Sequence, residues 1–149
     1  MLTDLCLFLC LSLNFKKFKS RSNFEPKVSI LVAARNEESN IESCIESLLK
    51  LDYPTDKYEI LVGDDMSTDR TAEIVEKFTA ESSVTLYTLN SKIQYSKGKA
   101  NVLAHLAKHA AGEFFFITDA DCKVNPDWIK GLLASYDDRV GIGVGVTDV

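Results

Sequence analysis

The chain has 149 residues, enough for one globular domain with its own core and too few for two ordinary ones. With 46% hydrophobic and 26% charged residues, three prolines and seven glycines, it is not a disordered tail, a collagen-like chain or a linker. Net charge is −5, but from Val28 onward 12 basic residues face 20 acidic ones, net −8, which argues against a general nucleic-acid binder and suits a domain that holds a divalent cation.

Residues 1–26 read as a unit of their own. An apolar run from about Leu5 to Leu13 leads into Lys16, Lys17, Lys19 and Arg21. The run is short of the roughly 20 apolar residues of a membrane span, and a secretory signal would carry its positive charge first and a cleavage site after. Two readings stay open. One is part of a membrane helix that begins upstream of Met1, whose basic flank puts the rest of the chain on the cytoplasmic face of the cell membrane. The other is a short helix on a membrane surface or a partner domain. Cys6 and Cys10 fall in this run, and Cys44 and Cys122 lie far apart, so no zinc site or disulfide framework is legible and the cysteines read as small buried hydrophobes in a reducing compartment.

From Lys27 the pattern alternates. Residues 28–34 (VSILVAA) form a continuous apolar run, as a strand buried on both faces does. Over 37–51, Ile41, Cys44, Ile45, Leu48 and Leu49 share one helical face and Glu38, Glu42 and Glu46 the other. After the turn DYPTDK, residues 58–63 predict a second strand. A second helix over 71–80 would turn Ala72, Val75 and Phe78 inward, with Ser67 or Asp69 available as its cap. A third strand spans 84–89. A third helix spans 99–111, with Ala100, Leu103, Ala107 and Ala110 inward and Gly112 ending it. Then come a strand over 113–118 (EFFFIT), a helix over 126–136 with Pro126 in its first turn, and a fifth strand over 140–146. The last apolar run ends with no turn or polar tail, as if the chain stopped within its fold. The alternation predicts an α/β domain with a mainly parallel sheet, right-handed crossovers and helices on both faces.

In such sheets ligands bind beyond the carboxyl ends of the strands. The unusual residues gather there: Arg35, Asn36 and Glu37 after the first strand, Asp64 and Asp65 after the second, Asp119 and Asp121 after the fourth. The pair in TDADC offers hard oxygen ligands suited to Mg2+ or Mn2+, or else is a solvated turn. In GDDMSTDRT, helix capping accounts for one of the polar residues but not for adjacent Asp64 and Asp65, whose repulsion needs a hydrogen-bonding ligand, a cation or an arginine. A carboxylate there could accept the imide N–H of uracil. Lys97 and Lys99 flank a glycine ahead of a helix, where phosphate is favoured, or are surface lysines. His105 and His109 have no carboxylate at a matching ligand spacing and read as surface or half-buried positions.

Taken in order, VSILVAARNEE, GDDMSTDRT, KGKANVLAHLAKHAAGEFFFITDADC and PDWI resemble the N-terminal half of a family 2 glycosyltransferase with a GT-A fold, a Rossmann-like nucleotide-diphospho-sugar transferase, over roughly 27–149. The resemblance implies that Ala33 to Glu37 form a nucleotide-contacting loop and that Asp65 with Asp64 reads the nucleobase. It implies that Lys97 and Lys99 line the donor pocket, that Asp119 faces the ribose, and that Asp121, with Asp119, binds Mg2+ or Mn2+ on the diphosphate. It further implies an inverting transfer from a UDP-sugar to an unidentified glycan or lipid acceptor, in cell-envelope polysaccharide synthesis, with no nucleic-acid partner. Arg35 departs from the pattern, standing where many members have an aromatic residue. The family's general base falls after Val149, so these residues hold the donor site and are expected to be inactive alone.

Three rivals are weaker on the residues. A sugar nucleotidyltransferase wants a glycine-rich, basic loop after the first strand, where RNEESN stands. A phosphoacceptor receiver domain needs an aspartate after the third strand, which runs instead into Leu89, Asn90 and Ser91. A non-catalytic nucleotide-binding module uses the same aspartates without turnover.

Overall fold

The computed structural model describes residues 24–80, 83–89, 98–134, 136 and 141–143. Its elements are β1 (Val28–Ala34), α1 (Ile41–Leu49), β2 (Tyr58–Asp64), α2 (Thr71–Thr79), β3 (Val84–Thr88), α3 (Gly98–His109), β4 (Phe114–Asp119) and α4 (Trp128–Ala134). The four strands form one parallel sheet in the order β3-β2-β1-β4. The apolar run before Lys16, including Cys6 and Cys10, lies outside the described residues, as do Lys97 and most of the expected fifth strand. Residues 141–143 are described and form no strand. Among the described residues no helix is long and apolar enough to cross a membrane.

Strand alternation sorts the core into two layers. Val28, Ile30, Val32 and Ala34 of β1 join Ile60 and Val62 of β2 against Ile41, Cys44, Ile45 and Leu48 of α1, Val75 of α2 and Ile129 and Leu133 of α4. Leu31 and Leu61 face the other way, onto Val102 and Leu106 of α3. Helices therefore cover both faces, three on one and α3 on the other. The chain steps from β1 to β2 to β3 in one direction and then returns past β1 to β4. Right-handed crossovers in opposite directions put their helices on opposite faces, which is why α3 is alone on its side. The order reverses between β1 and β4, and there the ends of neighbouring crossovers diverge and leave a crevice.

Several elements differ in detail from the sequence reading. The first helix begins at Ile41, because Glu37 carbonyl accepts from the Asn40 and Ile41 amides in a turn ahead of it. In α2 the deeply buried residues are Thr71, Ile74 and Val75, with Phe78 only partly covered. In α3 they are Asn101, Val102 and Leu106, while Ala100 is exposed. The reason is local fit: Gly63 leaves the gap that Val102 fills, and a Cβ there would stand 2.3 Å from Val102 Cγ1. Gly112 is not a left-handed helix terminator. It lies against β1, where a Cβ would meet Ser29 N at 2.4 Å and Val28 C at 2.6 Å.

At the far end of the sheet, buried Tyr53 donates its hydroxyl to Pro26 carbonyl at 2.7 Å. Burial first, then Glu25 and Glu113, push the phenol up from 10.0 to about 12. The native chain therefore keeps a proton that the unfolded chain releases above pH 10.0, so stability is unaffected below that pH and falls as pH rises towards about 12. Denaturant titrations of wild type and Tyr53→Phe at pH 8 and pH 11 check this: the wild type is expected to lose more stability over that interval than the variant. Equal losses would remove Tyr53 from the alkaline limb.

Candidate donor-binding site

The rim is built by register. Ala34 pairs with Asp64, Asp64 with Thr88, and Ala33 with Asp119, so the ends of β2 and β4 bring Asp64 and Asp119 to either side of β1. Residues 55 positions apart in sequence thus share one edge because the strands between them are parallel and in step.

Two loops over this edge are tied together. After β1, Asn36 N donates to Ser67 Oγ at 2.9 Å, and Thr68 N donates to Asn36 Oδ1 at 2.8 Å. Glu37 N donates to Thr71 Oγ1 at 2.8 Å and Glu38 N to Asp69 Oδ2 at 3.1 Å, while Arg70 returns N and Nε to Glu38 Oε2. Thr71 Oγ1 in turn donates to Asp69 Oδ1 at 2.5 Å. Of the two expected caps, Asp69 takes the first helical amide, Thr71 N at 2.9 Å, while Ser67 ties the loop after β1. Some desolvation opposes the charge on Asp69, but the hydrogen bonds from Thr71 and Glu38 outweigh it and hold its carboxyl below the usual range. Asn36 and Met66 both sit in the left-handed region, at φ 55° and 57°. Asparagine tolerates it; Met66 is held there by the turn that closes when Ser67 N donates to Asp64 Oδ2 at 3.2 Å.

The acidic pair splits into two roles. Asp65 is bound at its amide to Ala34 carbonyl and meets Arg35 Nη1 at 3.7 Å, so the arginine supplies the compensation that the sequence demanded. Asp64 is only 3% exposed, and its Oδ1 is buried without a hydrogen-bond partner. Such an acceptor is costly unless something donates to it.

Across β1, Asp119 is half exposed and its Oδ1 accepts from Lys99 Nζ, joining the start of α3 to the end of β4. An exposed pair of this kind is worth little in stability and exchanges readily for another cation. Asp121 is exposed on the turn that follows, where Cys122 N donates to Asp119 carbonyl at 3.2 Å. Underneath, the Cys44 thiol approaches the same carbonyl at 3.6 Å, and burial above all pushes that thiol up to about 12, so it packs as a neutral group. Among the described residues no set of three or more His, Cys, Asp and Glu is placed to hold a metal. The donor set that Asp119 and Asp121 offer is two hard carboxylates, which is what Mg2+ or Mn2+ takes from protein when phosphate and water supply the rest.

Of the sequence-nominated residues, Ala33, Arg35, Asn36, Glu37, Asp64, Asp65, Lys99, Asp119 and Asp121 all stand at this edge of the sheet. Asn36 and Glu37 spend their amides on the neighbouring loop, and Glu37 Oε2 accepts from Asn40 Nδ2, so these two shape the rim. Ser67, Thr68 and Thr71 were read only as capping candidates or not at all; their signal was three hydroxyls between a strand end and a helix.

Residues 29–149 match the family described as glycosyl transferase family 2. The chain belongs to that family. A beta-monoglucosyldiacylglycerol synthase of Nostoc sp. is 38% identical over 117 residues, covering 78% of this chain and 25% of the relative. The poly(ribitol-phosphate) beta-N-acetylglucosaminyltransferase TarS of Staphylococcus aureus is 33% identical over 114 residues, 76% of this chain and 19% of the relative. The chain thus spans a quarter or less of the length of these curated relatives. Among solved structures, the mannosyltransferase PcManGT of Pyrobaculum calidifontis, in complex with GDP-Man and Mn2+, superposes with a TM-score of 0.79 at 28% identity, over 92% of this chain and 41% of that one. TarS residues 1–349 with UDP-GlcNAc superpose at 0.60 with 34% identity, over 70% of this chain and 29% of that one. The GT-A fold expected from the motifs is the fold of this chain.

Proposed function

We propose that residues 27–149 form the donor-binding part of an inverting, metal-dependent glycosyltransferase that takes a UDP-sugar and delivers the sugar to a glycan or lipid acceptor. The observation that carries this reading is Asp64: a buried carboxylate oxygen without a donor, at the end of β2 beside β1, on a rim that also holds Asp119 and Asp121. A nucleobase N–H would satisfy it. Asp65, held by Arg35, completes the base pocket, and the exposed Arg35 guanidinium would stack on the base. Lys99, now on Asp119, is within reach of phosphate at the start of α3. Asp121, with Asp119, would hold the Mg2+ or Mn2+ whose charge stabilises the departing diphosphate.

On this reading the residue that deprotonates the acceptor belongs to polypeptide beyond what this chain spans, and the 149 residues bind donor without turning it over. Residues 1–26 anchor the domain at the cytoplasmic face of a membrane. Support for the donor class comes from relatives whose structures hold UDP-GlcNAc or GDP-Man with Mn2+.

Calorimetric titration of UDP into the chain with and without Mn2+ tests the assignment. Binding is expected to require Mn2+ and to weaken by at least about tenfold in Asp121→Ala. No heat with UDP in Mn2+, or an unaltered affinity in that variant, would overturn it; a GDP arm that binds in place of UDP would keep the site and replace the base.

A further inference from the structure

On the donor-site reading above, we propose that Met66 is the apolar wall of the base pocket, the side chain on which a planar nucleobase packs and which makes the site favour a nucleotide over a bare diphosphate. Met66 is 50% exposed and belongs to neither layer of the core. Its backbone sits in the left-handed region at φ 57°. There Cβ crowds the following carbonyl, a conformation that glycine adopts freely and asparagine with little penalty. Asn36, the other described non-glycine residue at positive φ, is of that tolerant type, and Met66 is not. Met66 thus combines a strained backbone with an apolar side chain in water, and core packing offsets neither. Strain of this kind concentrates at ligand sites.

The surroundings identify the ligand chemistry. Ala34 and Asp64 are register partners at the ends of β1 and β2, so Arg35 and Met66 leave adjacent strand ends, one residue past β1 and two past β2. The loops that carry them are tied by the bonds from Asn36 N to Ser67 Oγ and from Thr68 N to Asn36 Oδ1, and Ser67 N closes the turn onto Asp64 Oδ2. Met66 is therefore fixed in a braced turn, in sequence between Asp65, which holds the exposed Arg35, and Ser67, which caps Asp64.

Three groups thus meet at one strand end: the Asp64 Oδ1 acceptor without a donor, a guanidinium and a thioether. Together they suit a flat ring with an N–H on its edge. The carboxylate takes the edge, and guanidinium and sulfur both favour contact with a π system. A phosphate or a sugar has no such ring, and an acyl chain has no edge donor. Lys99, Asp119 and Asp121, whose charges suit diphosphate and metal, stand on the other side of β1, at the end of β4. The loss of Met66 should therefore be felt at the base and not at the diphosphate.

The test is calorimetric titration of UDP and, separately, of inorganic pyrophosphate, each with Mn2+, into the full chain and three variants. Met66→Gly and Met66→Asn accept the left-handed backbone, so both are expected to melt no lower than wild type. Each is expected to lose about three- to tenfold in UDP affinity while pyrophosphate affinity stays within about twofold. Met66→Leu keeps an apolar side chain of similar volume and is expected to retain UDP affinity within about twofold of wild type. Wild type that binds UDP no better than the glycine and asparagine variants overturns this proposal alone, as does an equal loss for pyrophosphate, which would place the effect in the turn and not at the base. Wild type that takes up no UDP overturns the donor-site reading and this proposal with it.

Discussion

Asp64→Asn is expected to weaken Mn2+-dependent UDP binding by about ten- to a hundred-fold while leaving the free chain as stable as before, or more so. The two halves of this result have one cause. Asp64 Oδ2 accepts from Ser67 N, a bond that an asparagine oxygen can keep, whereas Oδ1 is buried with no donor. In the free chain that oxygen carries an uncompensated share of negative charge, so neutralising it relieves a desolvation cost. In the complex the same change puts an N–H where a nucleobase N–H must donate, and a hydrogen bond to a charged group is worth about 1.5–3 kcal/mol. Calorimetry and denaturant unfolding on the same preparation separate the outcomes. Unchanged UDP affinity together with lost stability would make Asp64 a turn-former and nothing more.

The largest stability loss is expected from Gly112→Ala, at about 3 kcal/mol, the upper end for overpacking. The added methyl would meet Ser29 N at 2.4 Å, Val28 C at 2.6 Å and Ser29 Oγ at 2.7 Å, two of them backbone atoms of the central strand. Neither can retreat without disturbing β1. The approach is also bonded in place: Gly112 N donates to Ser29 Oγ at 2.8 Å, Ser29 Oγ donates to Glu59 Oε1 at 2.6 Å, and Ala111 N donates to the same carboxylate at 2.7 Å. Thermal and urea unfolding measure the loss. A variant within about 1 kcal/mol of wild type would show that the segment before β4 can shift as a body. Gly141→Ala, with open space at its Cβ, is the matched control.

How much of this was legible depended on whether the determining interaction is local. β1 and β2 were readable because a strand buried on both faces carries an unbroken apolar run, ILVAA in β1 and ILV in β2, and α1 because its apolar and acidic residues alternate with helical period. In α3 the alanines at 100, 104 and 107 blur that period, so the buried face is chosen by the gap at Gly63 rather than by the helix's own pattern. Gly112 shows the same limit: a glycine after a helix reads as a terminator, and only the packed sheet reveals that the constraint is the approach of Val28 and Ser29.

At the site, residue types and their order carried the family and the donor-site candidates, because acids, hydroxyls and lysines at strand ends form short contiguous motifs. Which of those groups remain available to a ligand was a tertiary matter. Asn36, Ser67 and Thr68 could each have capped a helix or faced solvent; Asn36 bonds the other two, and Asp69 takes the Glu38 amide, because parallel register sets the ends of β1 and β2 side by side. Arg35 settles on Asp65 for the same reason, and Lys99 on Asp119 where the start of α3 meets the end of β4, which leaves Asp64 Oδ1 as the buried acceptor of this rim still without a donor. Local chemistry is written along the chain and can be read there; the pairing of equivalent donors and acceptors is not, since it depends on distances that exist only once the strands are aligned.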